Sequence, residues 1–477
     1  MYKFLLILLI PIGAFSQKAL SIKNCIQIAL EKNLQIKQSL IQESIARNNS
    51  KQSQNNLLPS VSVDMSGGLS LGNSLNPTTY EVQFRNAYSS TLGVGAQMTI
   101  FSGLQQINNI ERSKALLSSA SMDKETFINN LALTVSNLYL QILLAKELLT
   151  TSINQSKLTI EQIKRTAELI EAGVLPKGNS IDLEAQSARD ELNIVKAQNN
   201  YDLLVFQMKQ LLLMPLRADI QFETSYKLRE ALYNLDGIDT ITSRALARMP
   251  QVKSDEFKLR AAQRQVYMSK GAFSPTLSLS YYSGSNFINL AQDVRDTTVI
   301  VDPSPIGNVF VPQLNSFVTI NSLPSSYTGK IPDGERPYWM QISDNLSHRV
   351  TLSMSIPIFT KFQRKTNLSN SFLQLKNQEL QLEQTKNKIR EEIYTAYINY
   401  KNAQKAYYAN VTNAKAFDNS LNFAREKFNA GVINSLDFNT TVTNDQNAKS
   451  ELLRSKYEYI FRKIVLDFYV YGVVNIE

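Results

Sequence analysis

The chain is poor in the side chains from which most enzyme and metal sites are built. Its 477 residues include a single cysteine, Cys25, and a single histidine, His348. A lone cysteine cannot form an intrachain disulfide, and one histidine supplies almost nothing for a metal cluster or a histidine-dependent catalytic triad. These scarcities predict that the protein is not an enzyme and holds no metal. Cys25 is then expected to be a small apolar residue on the first helix.

The chain also lacks, beyond its first residues, an uninterrupted apolar run long enough for a membrane-spanning helix. The richest candidate, residues 203–216, is interrupted by polar side chains and a proline. Residues 1–16 differ, because Lys3 is followed by an apolar core and then by small residues. This pattern predicts a secretory signal peptide that is cleaved before Gln17.

Charge of one sign is not concentrated anywhere in the sequence. The formal net charge is +9, but lysines and arginines are scattered among acidic residues, as in residues 164–171 and 388–392. This mixture is typical of solvated helix faces rather than of a basic surface that binds nucleic acid. We therefore expect no nucleic-acid partner.

The first half of the mature chain, residues 17–215, alternates helical and strand patterns. A helix is predicted from Ser21 to about Leu58, where Pro59 stops it. The period then changes to two over residues 60–66 and again over residues 91–100, which predicts two strands with one apolar and one polar face each. A helix of about 68 residues follows, from about residue 104 to 172, and a return helix from about residue 179 to 214.

The second half, residues 241–477, repeats this order. Tyr139 and Gly173 correspond to Tyr397 and Gly431 at one constant difference in residue number. This correspondence predicts an internal duplication. We call residues 17–215 the first repeat and residues 241–477 the second repeat.

Two segments interrupt the duplication. Residues 216–240 lose their periodicity, so we interpret them as the joint between the repeats. Residues 283–345 form a polar, proline-containing insert between the third and fourth strands, and this insert is too long for a plain hairpin turn.

The four predicted strands cannot close a barrel or protect their edges within one chain. Because each strand has one continuous apolar face, they favour a transmembrane barrel shared between subunits. The alternative is a soluble sheet that packs its apolar face on a core. The fold class predicted is mainly α-helical with a transmembrane β part. Helices about 100 Å long, at about 1.5 Å per residue, would form a rod or tube beside the barrel.

The sequence resembles the TolC family of outer-membrane efflux channels over essentially the whole mature chain. The resemblance depends on the order and spacing of short motifs, on the duplication, and on an Ala-Gly-Val turn in each repeat. The motifs are IALEKN at 28–33, LLPSV at 57–61, MTIFSG at 98–103 and LLLMP at 211–215.

The resemblance implies a homotrimer with a twelve-stranded barrel in the outer membrane. It further implies a twelve-helix tunnel in the periplasm, with a belt near mid-height that residues 216–240 help to form. A periplasmic adaptor bound to an inner-membrane transporter would open the tunnel. The channel itself would bind no cofactor, consume no energy and contact outer-membrane lipid.

The resemblance also assigns a channel constriction to the second turn. Asp437 matches the family position where an inward-facing acidic ring narrows the closed entrance, and Asp182 is its counterpart in the first repeat. The family often has a second acid where this chain has Thr440. The alternative is helix capping, in which Asn434 or Asn179 is the N-cap and the aspartate at N3 stabilises the helix start by roughly 0.3–1 kcal/mol.

The tips of the two turns are the surfaces that would meet the adaptor, according to the resemblance. The residues involved are Gly173, Val174, Gly431, Val432 and Ile433. The alternative is that each glycine ends a helix and that the neighbouring apolar residues make a contact across the turn.

Two other kinds of protein remain as alternatives. A periplasmic adaptor also has a long helical hairpin, and a structural coiled-coil protein of the cell envelope would also have long helices. Neither alternative requires two pairs of alternating strands.

Overall fold

The computed structural model describes residues 19–174, 176–223 and 237–472. The predicted signal peptide lies outside the described residues, as do residues 224–236 of the predicted joint. The chain divides into two compact units, each of which takes segments from both repeats. The first unit comprises residues 1–51, 110–266 and 369–477, and the second comprises residues 52–109 and 267–368.

Nine α-helices occur in the described residues. They are Ile22–Lys32 (α1), Leu34–Asn55 (α2), Gln105–Glu171 (α3), Gly178–Leu211 (α4), Ile238–Arg248 (α5), Pro250–Gly271 (α6), Tyr338–Asp344 (α7), Gln363–Asn429 (α8) and Ser435–Tyr471 (α9). The two long helices, α3 and α8, have 67 residues each. The predicted helix from about residue 104 to 172 is therefore confirmed within one residue at each end.

Ten β-strands occur in the same part of the chain. They are Ser60–Ser70 (β1), Asn73–Leu75 (β2), Val82–Phe84 (β3), Ala87–Ser102 (β4), Thr276–Ile288 (β5), Gln292–Val301 (β6), Pro305–Val311 (β7), Ser316–Asn321 (β8), Ser325–Glu335 (β9) and Ser347–Ser355 (β10). The four predicted strands correspond to β1, β4, β5 and β10.

The first predicted helix is wrong in one respect, because it is interrupted at Asn33. Ser21 is the N-cap of α1, as its position suggested. The Asn33 N–H donates to the Ala29 carbonyl oxygen at 2.8 Å, and the Asn33 Oδ1 accepts from the Gln35 N–H at 2.8 Å. Asn33 is thus the C-cap of α1, and its side chain caps the start of α2, since asparagine readily accepts hydrogen bonds from nearby backbone N–H groups.

The central sheet of the second unit has the strand order β1-β4-β5-β10, and all of its pairings are antiparallel. The middle pairing, β4 with β5, joins a strand of the first repeat to a strand of the second. The register places the predicted apolar residues on one face, as the alternation required. These residues are Val61, Val63, Met65, Leu92, Val94, Ala96, Met98, Leu277, Leu279, Tyr281, Val350, Leu352 and Met354.

The insert is more regular than its composition suggested. Strand β5 continues to Ile288, so the first residues of the predicted insert belong to the sheet. Strands β6 and β9 then pair, and β7 pairs with β8, before the short helix α7. Residues 294–311 are rich in β-branched side chains, which favour strands despite the prolines among them.

One hydrophobic cluster of the first unit lies between α1, α3, α4 and α9. Its buried members include Cys25, Tyr139, Met208 and Ile460. Burial raises the pKa of the Cys25 thiol to about 12. The predicted apolar role of Cys25 is therefore confirmed.

Helix α8 packs against α9 through aromatic and small apolar side chains. Tyr400 and Ala403 are buried, and the Tyr459 ring of α9 lies 5.6 Å from the Tyr400 ring and 5.7 Å from the Tyr407 ring. Such contacts are expected for two helices packed side by side with a repeat of fours and threes.

One described helix has a stretch that could cross a membrane by length and composition. The stretch lies within α3, and 44% of it is buried inside the protein. A partly buried stretch in a core helix meets the same criteria, so this finding is weak evidence for a membrane helix.

Candidate functional site

The first turn follows α3 and has the backbone that its glycine predicted. Gly173 has φ +76°, a left-handed conformation that glycine adopts without steric cost. Its N–H donates to the Ile170 carbonyl oxygen at 3.0 Å, and the Val174 N–H donates to the Leu169 carbonyl oxygen at 2.9 Å. This pair of hydrogen bonds is a Schellman motif, which satisfies carbonyls that the helix end would otherwise leave unpaired.

The second turn repeats this motif after α8. Gly431 has φ +70°, its N–H donates to Phe428, and the Val432 N–H donates to Lys427. Val174 and Val432 are both exposed, so each turn presents one apolar side chain to solvent. Ile433 differs, because it packs against the buried cluster of α8 and α9 that contains Phe438.

The start of α9 has the N-cap that was predicted. The Asn434 Oδ1 accepts a hydrogen bond from the Asp437 N–H at 2.8 Å, which makes Asp437 the N3 residue. The Asp437 side chain is exposed. No ion pair that includes Asp437 occurs in the described part of the chain. Asp437 therefore stabilises the helix start while its carboxylate remains accessible.

The predicted N-cap at Asn179 is wrong. Helix α4 begins at Gly178, and the preceding residue, Lys177, makes no side-chain capping bond. The Asn179 N–H instead donates to the Pro176 carbonyl oxygen, and the Ser180 N–H donates to Lys177, both at 3.2 Å. The first turn has three residues, 176–178, that the second turn lacks. The carbonyl oxygens of Pro176 and Lys177 accept hydrogen bonds at the start of α4, in place of a capping side chain.

The structure brings Asn179 and Asp182 next to the start of α9. The Ser435 Oγ lies 3.1 Å from the Asp182 Oδ2 and 3.4 Å from the Asn179 Oδ1. Ser435 is buried, although it is the first residue of its helix. The negative charge of Asp182 is also stabilised by its place near the positive end of the α9 dipole. Asp182 thus joins two hairpins, whereas Asp437 makes no such contact.

A buried aspartate eight residues beyond each turn aspartate was missed by the sequence analysis. In the first hairpin it is Asp190, whose Oδ2 accepts from the Thr159 hydroxyl of α3 at 2.6 Å. Its Oδ1 accepts from the Gln186 side chain at 2.8 Å. These bonds satisfy a carboxylate that is otherwise costly to bury.

The matching residue of the second hairpin is Asp445, which uses an ion pair instead. The Lys449 Nζ lies 2.9 Å from the Asp445 Oδ2 and 2.8 Å from the Asp418 Oδ1 of α8. The hydrogen bond from Lys449 lowers the pKa of Asp418. The same spacing of Asp190 from Asp182 and of Asp445 from Asp437 was the sequence signal for these contacts.

No group of three or more histidine, cysteine, aspartate or glutamate side chains suited to a metal ion occurs in residues 19–174, 176–223 and 237–472. Neither turn therefore has an evident metal-binding cluster in its described residues.

The sequence profile of the outer membrane efflux protein family matches residues 25–212 and 307–468, most of the chain. The chain belongs to the outer membrane efflux protein family. The resemblance to TolC-type channels is thereby confirmed. The members of the family are channels rather than enzymes, which also confirms the prediction that the chain is not an enzyme.

Solved structures of outer-membrane channels have the same fold as this outer membrane efflux protein. CusC matches with a TM-score of 0.74 at 14% identity, over 94% of this chain and 91% of CusC. The outer-membrane channel OprN matches with 0.73 at 17% identity, over 94% and 89%. VceC of Vibrio cholerae matches with 0.73 at 12% identity, over 95% and 97%. No curated protein matches the chain significantly.

Proposed function

We propose that the protein is the outer-membrane exit duct of a tripartite efflux or type I secretion system. The duct is a passive channel, and it opens when a periplasmic adaptor and an inner-membrane transporter dock on it. Its barrel lies in the outer membrane and its helices lie in the periplasm.

The observation that supports this proposal best is the open-edged sheet of the second unit. Its edge strands, β1 and β10, have 11 and 9 residues, which suits a tilted strand that crosses a bilayer. Open sheet edges do not occur in hydrocarbon, because their N–H and C=O groups would lack partners. Strand β1 of one copy therefore pairs with β10 of the next copy, and three copies give a twelve-stranded barrel.

The apolar face of the sheet supports lipid contact. Val63, Met65 and Val350 are exposed, with Val350 at 71%. A soluble sheet would bury such a face against a core. The opposite face carries Ser62, Thr351 and their neighbours, which suits a water-filled lumen.

The helical part of the proposed duct uses the two hairpins α3–α4 and α8–α9. Three copies contribute twelve such helices to a tunnel. An adaptor or a structural rod would use long helices as well, but neither would need the exposed apolar sheet.

Asp437 forms the constriction of the proposed closed state. Three symmetry-related carboxylates on one axis repel each other and attract cations, so the entrance responds to pH and to divalent ions. The exposed carboxylate of Asp437 supports this role. Asp182 belongs to the same region but is held by Ser435, and Thr440 adds no charge, so the ring has one acid per copy at its centre.

The exposed tips of the turns are the docking surface for the adaptor. A Cβ at Gly173 or Gly431 would have no atom of the chain within 4 Å, so the space beside each glycine is open to a partner. Val174 and Val432 add exposed apolar area. Ile433 supports the second tip from within the hairpin.

Single-channel conductance in a planar bilayer tests the proposed function. Two arginine variants at adjacent positions of β10 are compared. Val350→Arg places a charge on the lipid face, at a cost of about 2–4 kcal/mol near the bilayer midplane, and should prevent insertion. Thr351→Arg places the same charge on the lumen face, and should insert with altered ion selectivity. Folded wild-type protein that gives no conductance under any condition would overturn the barrel and favour an adaptor or a rod.

A further inference from the structure

The polar face of the central sheet carries almost no charge. We call it the lumen face, because it lines the water-filled interior of the proposed barrel. Its residues are serine, threonine, glycine, glutamine and asparagine, with an alanine and an isoleucine at the end next to the insert. Three residues depart from this composition, namely Asp64, Tyr282 and Arg349. In these four strands, all of whose residues the structure describes, Asp64 and Arg349 are the only acid and the only base of the lumen face.

The three exceptions lie at one level of the sheet. Tyr282 of β5 is the direct cross-strand partner of Gly95 on one side and of Arg349 on the other. Asp64 of β1 is the partner of Gly93, which is the next residue of β4 on the same face. Such neighbours are about 7 Å apart, at about 3.3 Å per residue. We call these two adjacent rows of residues the lumen band.

The Tyr282 ring lies against the wall of the sheet, over two glycines. A Cβ at Gly93 would be 2.7 Å from the Tyr282 Cε2, and a Cβ at Gly284 would be 2.7 Å from the Tyr282 Cε1. Gly93 and Gly284 are direct cross-strand partners, and both are buried. The ring therefore covers the backbone of β4 and β5, and a side chain at either glycine would displace it.

The two charges of the lumen band are separated and unpaired within the chain. Asp64 on β1 and Arg349 on β10 are three strand spacings apart, which is about 14 Å. Both side chains are exposed. The Asp64 Oδ2 accepts from the Ser62 hydroxyl at 3.2 Å, and no ion pair that includes Asp64 or Arg349 occurs in the part of the chain that the structure describes. Both charges are thus open to solutes on the lumen face.

We infer that Asp64 and Arg349 form a charge-balanced selectivity band inside the barrel, with the Tyr282 ring as the spacer between them. The inference rests on the proposed function, because it needs the barrel that three copies close. Three acids and three bases then alternate around the lumen, so the band has no net charge and favours ions of neither sign. The preference for cations therefore arises at Asp437, where only carboxylates face the axis.

Ion preference, measured from the reversal potential in a KCl gradient, tests the lumen band. The parent channel is the Asp437→Ala protein, which lacks the carboxylates of the entrance. Asp64→Asn should make it favour chloride and Arg349→Gln should make it favour potassium, each by roughly twofold in 0.01 M salt, where the Debye length is about 30 Å. In 1 M salt, where this length is about 3 Å, both preferences should disappear.

The controls keep either the charges or their balance. Asp64→Glu and Arg349→Lys should leave the ion preference of the parent channel unchanged. The double variant Asp64→Asn with Arg349→Gln should also match the parent, because it removes equal numbers of both signs. A parent channel whose preference ignores both single neutral variants, or shifts in the same direction with both, would overturn the lumen band. Wild-type protein that conducts under no condition would overturn the proposed function instead.

The place of the Tyr282 ring has a separate readout. Gly93→Ala should push the ring into the lumen and lower the conductance of the parent channel, and adding Tyr282→Ser should restore it. Gly95→Ala is the matched control, because a Cβ there would have its nearest atom at 3.5 Å and should leave the conductance unchanged. An unchanged conductance with Gly93→Ala would overturn the role of Tyr282 as the spacer.

Discussion

At both hairpin tips a left-handed glycine ends the incoming helix, but only the second outgoing helix has a side-chain N-cap. Asn434 caps α9, whereas the additional residues 176–178 supply backbone acceptors at the start of α4. The two turn aspartates consequently differ in their surroundings. Both side chains are exposed, but only that of Asp182 lies beside a hydroxyl of the other hairpin, that of Ser435. The two corresponding aspartates thus have different neighbours.

The largest effect is expected from a bulky residue at the second tip. Gly431→Trp should abolish export while leaving the trimer intact, because the indole would occupy the open space where an adaptor docks. Drug sensitivity of a strain that depends on this channel measures the effect. Gly431→Ala is the control, since it introduces a similar left-handed strain of about 1–2 kcal/mol without the bulk. Normal resistance with the tryptophan variant would contradict docking at this tip.

The next effect separates the two aspartates. Asp437→Ala should raise the single-channel conductance severalfold, because it removes three carboxylates from the axis of the closed entrance. Asp182→Ala should change the conductance far less, because Asp182 is engaged at the side of α9. If Asp437→Ala leaves the conductance unchanged, Asp437 is only a helix-capping residue.

A smaller effect is expected at the two asparagines that look alike in sequence. Asn434→Ala should destabilise the start of α9 by about 1 kcal/mol, the usual loss for an N-cap. Asn179→Ala should leave the start of α4 almost unchanged, because Asn179 is not its cap. Hydrogen exchange in the first turns of α9 and α4 measures both. Equal protection losses in the two variants would show that the turns are capped alike.

The smallest effect is expected at the contact between the hairpins. Ser435→Ala removes the hydroxyl beside Asp182 and should reduce stability by about 0.5 kcal/mol, the low end for a net hydrogen bond. A double-mutant cycle with Asp182→Ala isolates this contact in the unfolding midpoint. Strictly additive effects would mean that Ser435 and Asp182 do not interact in solution.

Features that depend on a pattern repeated over many residues were predictable from the sequence. The bounds of α3, the apolar face of the central sheet and the packing of α8 all depend on many residues that agree with each other, such as Ile393, Tyr400 and Ala403. An error at one position does not change such a pattern. The shared apolar face of β1 and β10 was predictable for the same reason.

Features decided by one or two residues were not predictable. Asn33 was predicted to lie within a helix, but its side chain accepts a hydrogen bond from the Gln35 N–H of the next helix. Asn179 was predicted to be an N-cap because Asn-Ser follows both glycines. The hydrogen bonds to the Pro176 and Lys177 carbonyl oxygens show that the helix start is paired differently. The contact of the Ser435 hydroxyl with another hairpin was not predictable either, because it depends on how α4 and α9 pack at that point.

The buried thiol of Cys25 offers a way to measure local opening of the core around α1. With no exposed surface and a pKa near 12, the thiol is almost never a thiolate that a reagent can reach while α1 is in place. The rate of labelling by a soluble maleimide therefore measures how often α1 separates from the core around Tyr139. Because Cys25 is the only cysteine in the sequence, this labelling experiment needs no engineered residue.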